Sequence, residues 1–201
     1  MRTLIRLATI SDGPALAAIY APAVVGCVTS FESEPPDGAE MGRRVEKLAG
    51  RTPWLVCEHA AEPIGYAYAG PHRDRFAYQW SVEVSAYVSA DFHRAGVARA
   101  LYTSLFAILA LQGFVNAYAG ITLPNAASTG LHEAMDFTPV GVYRGVGYKL
   151  GAWHDVVWLE RALCPREPEP ENPTPLSELR DSPAFQRAIE TGLPLLRLGR
   201  P

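Results

Sequence analysis

No run of uninterrupted apolar residues in the 201-residue chain approaches the roughly 20 that a helix needs to cross a bilayer, so no membrane span is expected. Arg2 and Arg6 are followed by Asp12 and Pro14 before an apolar stretch of leader length can develop. The N-terminus therefore does not read as a secretory signal, and a cytoplasmic location is expected. Cysteine is scarce: Cys27, Cys57 and Cys164 are odd in number and widely spaced. That set suits neither a disulfide framework nor a zinc site, so reduced, structural thiols and no metal are expected. The net charge of −3 leaves no surplus of Lys and Arg to neutralise a phosphate backbone, which argues against nucleic acid as a main partner. One local exception is His72 to Arg75, where three basic residues surround Asp74 and suit a small anionic ligand. No Lys-Ser or Lys-Thr pair follows a glycine loop and no GxGxxG occurs, which excludes nucleoside triphosphatase and dinucleotide-binding fingerprints.

What is present is an alternating α/β (α+β) pattern. Leu4 to Ala8 reads as a strand, and Asp12-Gly13-Pro14 supplies an N-cap with proline in the first turn of a helix striped by Leu16, Ile19 and Tyr20. Met41, Val45 and Leu48 mark a second amphipathic helix. Between them, Gly26 to Gly38 carries Phe31 in a loop placed to cover a site or merely to connect. Trp54 to Glu58 and Ile64 to Ala69 form an expected hairpin. In Gln79 to Val88, Trp80, Val82, Val84, Ala86 and Val88 alternate with Ser81, Glu83, Ser85 and Tyr87, which predicts one core face and one polar face. A helix striped by Val97, Leu101, Leu105, Ile108 and Leu111 then runs to Gly113. Phe114 to Ile121, a short helix from Asn125 towards Met135, and strands at Val140 to Val146 and Trp153 to Arg161 complete a domain of residues 1–164. From Pro165 to Pro175 the composition turns to Pro and Glu, a linker that cannot pack a core. Residues 165–201 are thus a linker and tail, with a short helix at Pro183 to Thr191 that docks on the domain or on a partner subunit.

The loop His93-Arg94-Ala95-Gly96-Val97-Ala98-Arg99 joins a strand to a helix, so its backbone N–H groups and the helix N-terminus can converge on phosphate. A side chain at Gly96 is expected to hold the backbone away from a pyrophosphate, and Arg94 and Arg99 add charge. Asn125 also reads as a helix N-cap, and the Arg-rich turn of Arg73 and Arg75 has guanidinium forks that suit a carboxylate, phosphinate or sulfonyl group.

Over residues 3 to 163 the sequence resembles the GNAT acyltransferase superfamily, and within it the phosphinothricin and methionine sulfone acetyltransferases. The resemblance is carried by Ala86-Tyr87-Val88 ahead of the His93–Ala98 loop, by Arg75 to Glu83, by Ile121 to Ser128, by Leu131-His132-Glu133, and by Gly147-Tyr148-Lys149 with Trp153 to Val156. His93 replaces a usual Gln or Arg, and Asp136 stands where the family has glycine. The resemblance implies a GNAT fold: a mixed central sheet flanked by helices, with acetyl-CoA as co-substrate in a splay of the sheet. It implies transfer of acetyl to the amine of a small amino-acid-like substrate, in a homodimer. Glu83 is the expected general base, and His132 an acid or base at a position where many relatives carry Tyr. Acetyl-CoA is expected to meet the backbone of Ala86, Tyr87 and Val88, the loop from His93 through Arg94, Ala95, Gly96, Val97 and Ala98 to Arg99, and Asn125 and Ser128. The acceptor is expected to meet Phe31, Arg73, Arg75, Tyr78 and Lys149, the lysine from the same or the other subunit. The competing expectations are a domain that binds acyl-CoA without turnover, as a sensor or interaction module, and a GNAT enzyme acting on a different amine.

Overall fold

The computed structural model of the protein describes residues 2–198. Its elements are β1 (Thr3–Leu7), α1 (Gly13–Val25), α2 (Gly38–Leu48), β2 (Trp54–His59), β3 (Glu62–Pro71), β4 (Ser81–Val88), α3 (Val97–Gln112), β5 (Asn116–Thr122), α4 (Ala126–Glu133), β6 (Thr138–Lys149), β7 (Ala152–Ala162), α5 (Leu176–Leu179) and α6 (Pro183–Glu190). The seven strands form one sheet in the order β1-β2-β3-β4-β5-β7-β6. Every neighbouring pair is antiparallel except β4 and β5, which are parallel and joined by the α3 crossover that such a pair requires.

The pleat divides the molecule into two layers of side chains. Val82 and Val84 of β4, Ala117, Ala119 and Ile121 of β5, and Leu159 of β7 point to the side covered by α3, where the larger core lies. The opposite side of β2 and β3 presents Trp54, Val56 and Tyr66 to Leu16, Tyr20, Val24, Met41 and Val45 of α1 and α2. The alternation read in β4 is therefore present, but its second face is not simply polar. Tyr87 stacks edge-on against Tyr20, with ring centroids 4.7 Å apart.

Several boundaries differ from the sequence expectation for identifiable reasons. Gln79 and Trp80 fall outside β4 because a 3-10 turn, Phe76–Tyr78, captures the Gln79 N–H. Trp80 accordingly leaves the core face, and its Nε1–H donates to the carbonyl of Glu171. Leu111 sits on the exposed side of α3, whereas Ala100, Tyr102, Ser104, Phe106 and Leu109 are buried. Helix periodicity over one stripe underestimated how much of α3 is covered. Asp12 precedes α1 but does not cap it with its side chain; it takes two hydrogen bonds from Arg6 at 2.8 Å and one from the Thr9 N–H at 2.7 Å. Burial opposes its charged form, yet the Arg6 and Thr9 hydrogen bonds together outweigh it and hold its pKa below the ordinary 3.8.

The Pro- and Glu-rich segment after residue 164 builds no core of its own, but it is pinned along its length. Arg166 donates to Asn116, Trp80 to the Glu171 carbonyl and Gln79 to Asn172, and the Thr174 N–H donates to the carbonyl of Gln112. It leads into α5, where Leu176 is 1% exposed, and then into α6, which lays Phe185 and Ile189 onto the α3 side. The helix expected at Pro183 to Thr191 thus docks on its own chain. Its start is fixed by Ser182, whose hydroxyl accepts from the Phe185 N–H, with Pro183 in the first turn. No helix among the described residues is long and apolar enough to cross a membrane.

The burial of Leu176 makes the tail part of the fold's stability. Leu176→Ala is expected to destabilise the protein by about 2–5 kcal/mol in urea unfolding, through lost transfer energy and a residual cavity. Leu111→Ala, on the exposed side of α3, is expected to change stability by no more than about 0.5 kcal/mol. Equal effects of the two substitutions would contradict the docking of the tail.

Candidate active site

The central feature is a gap between β4 and β5. These strands pair only from Ser81↔Asn116 to Glu83↔Tyr118, whereas β5 stays paired with β7 from Asn116 to Thr122. Beyond Glu83, β5 follows β7 and leaves β4. The other edge of β4 remains paired with β3 up to Gly65↔Val88. The Ser89 N–H donates to the Ile64 carbonyl, so strand alternation turns the N–H and C=O groups of Val88 and Ala86 away from β3 and into the gap. Tyr87, between them, turns its backbone to β3 and its side chain to the aromatic cluster.

Past the end of β4 stands the His93–Arg99 loop. Arg94 and Gly96 are both left-handed, with φ of 63° and 80°, which folds the loop back on itself ahead of α3. The N–H groups of Arg94, Gly96, Val97, Ala98 and Arg99 have no backbone acceptor among the described residues, while the Ala100 N–H closes the first helical bond to Gly96. Donors at a helix N-terminus of this kind suit phosphate. The His93 side chain is exposed, and its Nε2–H donates to the Val88 carbonyl at 3.1 Å, tying the loop to the strand at the mouth of the gap. Gly96 meets a further constraint: a Cβ there would collide with the carbonyl oxygen of Leu195, on the C-terminal segment. Its lack of a side chain makes room for that segment.

On the α3 side, Asn125 caps α4 by accepting from the Ser128 N–H at 3.1 Å. His132, the expected acid or base, is 4% exposed. It lies against Phe137 and Tyr102, with centroids 4.9 and 5.4 Å away. Its Nδ1 lies 2.8 Å from the Ser128 carbonyl, which can only accept, so the proton sits on Nδ1 and Nε2 accepts from the Tyr102 hydroxyl at 3.2 Å. Burial lowers the His132 pKa from its ordinary 6.5, and it raises that of Tyr102. The pair is neutral and bridges α4 to α3. Asp136 adopts the left-handed turn that glycine would take, with φ of 61°, and its carboxylate lies 3.7 Å from Arg161.

On the other side of the sheet the acidic and basic candidates converge. The Glu83 Oε1 accepts from His72 Nδ1 at 2.9 Å and from Arg73 at 3.2 Å. Both donors use one oxygen, which leaves Oε2 for an incoming group. His72 stacks on Tyr118 at 4.4 Å, Tyr78 meets the His72 ring edge-on at 6.0 Å, and the Arg73 guanidinium lies 5.9 Å from the Trp158 ring. Along β3 on this face a cleft of about 300 Å³ runs past Tyr66 and Tyr68 to Gly70, whose register partner is Glu83. Arg44 and Trp54 also line it. Tyr118 and Trp158 are not among the residues that the sequence singles out. Tyr118 and Trp158 are brought in by the β4–β5 and β5–β7 registers, which local spacing does not reveal.

Three expected acceptor contacts stand apart from this cluster. Lys149 donates to the carbonyls of Val24 and Ser30, both at 2.6 Å. That commits its charge to anchoring the α1–α2 loop, and it is withdrawn from the acceptor site. Phe31, on the same loop, rests directly on Gly147 of β6, with His154 6.4 Å away. Arg75 opens the exposed 3-10 turn before β4. Among the described residues no group of three or more His, Cys, Asp or Glu is placed to hold a metal.

Comparison with known proteins agrees with this geometry. The Acetyltransferase (GNAT) domain matches residues 5–158. The phosphinothricin N-acetyltransferase of Streptomyces viridochromogenes is 41% identical over 170 residues, covering 84% of this chain and 93% of that protein. The L-methionine sulfoximine/L-methionine sulfone acetyltransferase of Pseudomonas paraeruginosa is 33% identical, covering 85% of this chain and all (100%) of that one. The crystal structure of a GNAT superfamily phosphinothricin acetyltransferase from Sinorhizobium meliloti, in complex with AcCoA, superposes with a TM-score of 0.80 at 32% identity, covering 85% of this chain and 94% of that one. A single parallel pair that opens beneath a helix N-terminus and a domain match spanning most of the chain lead to one assignment: the protein belongs to the GNAT acetyltransferase family and is an N-acetyltransferase.

Proposed function

We propose that the protein transfers acetyl from acetyl-CoA to the amine of a small amino-acid-like substrate of the phosphinothricin, methionine sulfone or methionine sulfoximine type. The observation that carries this reading is the opening of β5 away from β4 immediately beyond Glu83, which sets a carboxylate with one free oxygen beside the gap. The names of the relatives support the acceptor class.

Acetyl-CoA supplies the acyl group as an activated thioester. The inward-facing backbone of Ala86 and Val88 suits its amide-bearing arm as an added strand would, and the Val88 N–H is placed to polarise the acyl carbonyl. The donors of Arg94 and Gly96 to Arg99 take the phosphates. Oε2 of Glu83 accepts the amine proton, directly or through one water, while His72 and Arg73 hold Oε1 and fix the carboxylate's orientation. Arg73 and Tyr78, beside Glu83 and His72, meet the acidic end of the acceptor next to the cleft floored by Tyr66 and Tyr68. Asn125 acts through the α4 cap. His132, neutral and already an acceptor, positions Tyr102 and does not donate a proton.

We place the protein in the cytoplasm as a homodimer. Burial pushes the Cys57 thiol up to about 12, and all three cysteines are unpaired, which suits a reducing compartment. The dimer reading rests on β6, the edge strand of the sheet, where Val146, Tyr148, Leu150 and Trp153 of the β6–β7 hairpin are each at least 50% exposed.

Incubation with acetyl-CoA and each of phosphinothricin, methionine sulfone and methionine sulfoximine is expected to release free thiol with at least one of them. A folded, CoA-binding protein that releases none would overturn the acceptor class. Glu83→Gln is expected to lower kcat by about 10²-fold or more with CoA affinity retained, and an unchanged kcat would remove Glu83 from the base role. The lowered pKa of His132 has a defined sign in stability. Below the ordinary 6.5 the unfolded chain binds the proton that the folded chain refuses, so stability falls as pH drops through that value. Urea unfolding from pH 7 downward should show this slope, and His132→Gln should flatten it. For the dimer, Trp153→Glu is expected to shift the sedimentation coefficient to that of a monomer, against a wild-type dimer.

A further inference from the structure

The last described segment of the chain lies on the phosphate loop. After α6 the chain turns at Gly192, whose N–H donates to the Ser104 hydroxyl at 3.1 Å. That hydroxyl is fully buried on α3 and in turn donates to the Ile189 carbonyl at 2.7 Å, so a single oxygen clamps both sides of the turn. The approach is as close as a backbone allows, because a Cβ on Gly192 would strike the carbonyl oxygen of Ala100. A 3-10 turn, Leu193–Leu195, carries the chain across Gly96, and the Arg197 N–H then donates to the Ala95 carbonyl at 2.8 Å.

Two features separate a brace from a plug. The strap engages the loop through a carbonyl, that of Ala95, and through the bare α-carbon of Gly96. The N–H donors of Arg94 and of Gly96 to Arg99 are not used by it among the described residues. The loop's left-handed turn is therefore pinned from behind while its anion-binding side is left to a ligand. In the same stroke the strap places Arg197, with its side chain exposed, at the edge of a loop that already carries exposed Arg94 and Arg99. The GNAT domain match ends at residue 158, so this strap lies outside it.

We propose that residues 192–198 form part of the acetyl-CoA site: the strap holds the phosphate loop in its binding conformation, and Arg197 adds a cation for the phosphates of CoA. This inference rests on the reading of the His93–Arg99 loop as the CoA phosphate site. Calorimetry of the full-length protein with CoA and with dephospho-CoA, beside steady-state kinetics in both substrates, tests the two parts separately. Arg197→Gln is expected to raise the Kd for CoA roughly fivefold at low ionic strength, with the effect shrinking as salt is added. If the effect vanishes with dephospho-CoA, Arg197 meets the 3′-phosphate; if it persists, Arg197 meets the pyrophosphate. Gly192→Val is expected to raise the KM for acetyl-CoA with kcat and the acceptor KM unchanged. Ser104→Ala, which removes the clamp by deleting one hydroxyl, provides the same readout should Gly192→Val fail to fold. An unchanged CoA Kd in Arg197→Gln overturns the role of Arg197. An unchanged acetyl-CoA KM in the strap variants, or a lower one, overturns the brace. A wild-type protein that does not bind CoA at all would instead overturn the loop assignment beneath both.

Discussion

The site depends on a competition for one strand. β5 carries a single set of backbone groups on each edge, and its edge towards β7 is paired over seven residues, Asn116 to Thr122, whereas its edge towards β4 is paired over three, Ser81 to Glu83 on the facing strand. The β7 pairing decides where β5 goes. The consequence is a stretch of β4 whose inward amides have no strand to meet, at the one parallel junction of an otherwise antiparallel sheet. Unpaired strand edges are ordinarily a hazard that proteins cover. Here the edge lies inside the molecule, and the occupant that suits it is an extended amide-bearing chain ending in phosphates.

The rest of the fold positions chemistry around that opening. The pleat gives Glu83 to the α1–α2 side and its neighbours Val82 and Val84 to the α3 side, so the proposed proton acceptor and the buried His132–Tyr102 pair are on opposite sides of the sheet. The contrast in their surroundings is informative. Glu83 lies near solvent, with a 38% exposed side chain held by Arg73 and His72. His132 is enclosed by Tyr102 and Phe137, and its tautomer is fixed by the Ser128 carbonyl. A group that must exchange a proton with an amine suits the first setting, and a group that must hold a neighbour still suits the second.

Local pattern carried a good deal of this. The period-two alternation of β4, the stripes of α1 and α2, and the loop-to-helix junction at Gly96 are all decided by nearest neighbours along the chain, and all were legible. The reasons behind some residues were not. Gly96 reads as a concession to a ligand, and the sequence does not show that its α-carbon also faces Leu195, about a hundred positions later. Lys149 looked like charge for a substrate, but the carbonyls of Val24, at the end of α1, and Ser30, in the loop after it, take two of its hydrogen bonds. The Pro- and Glu-rich segment looked like a free linker because its composition cannot form a core; its backbone and polar ends are instead held by side chains of β5, α3 and the turn before β4. Tyr118 and Trp158 join the Glu83 cluster only through strand registers that no short window contains.

The central claim, that the β4 edge and the α3 N-terminus together bind acetyl-CoA, is tested most directly by amide hydrogen exchange with and without the co-substrate. The account predicts that added acetyl-CoA slows exchange at Ala86, Val88 and Gly96 to Arg99, with little change along β1 and β2. Protection confined to other parts of the molecule, or none at these amides under saturating acetyl-CoA, would contradict it.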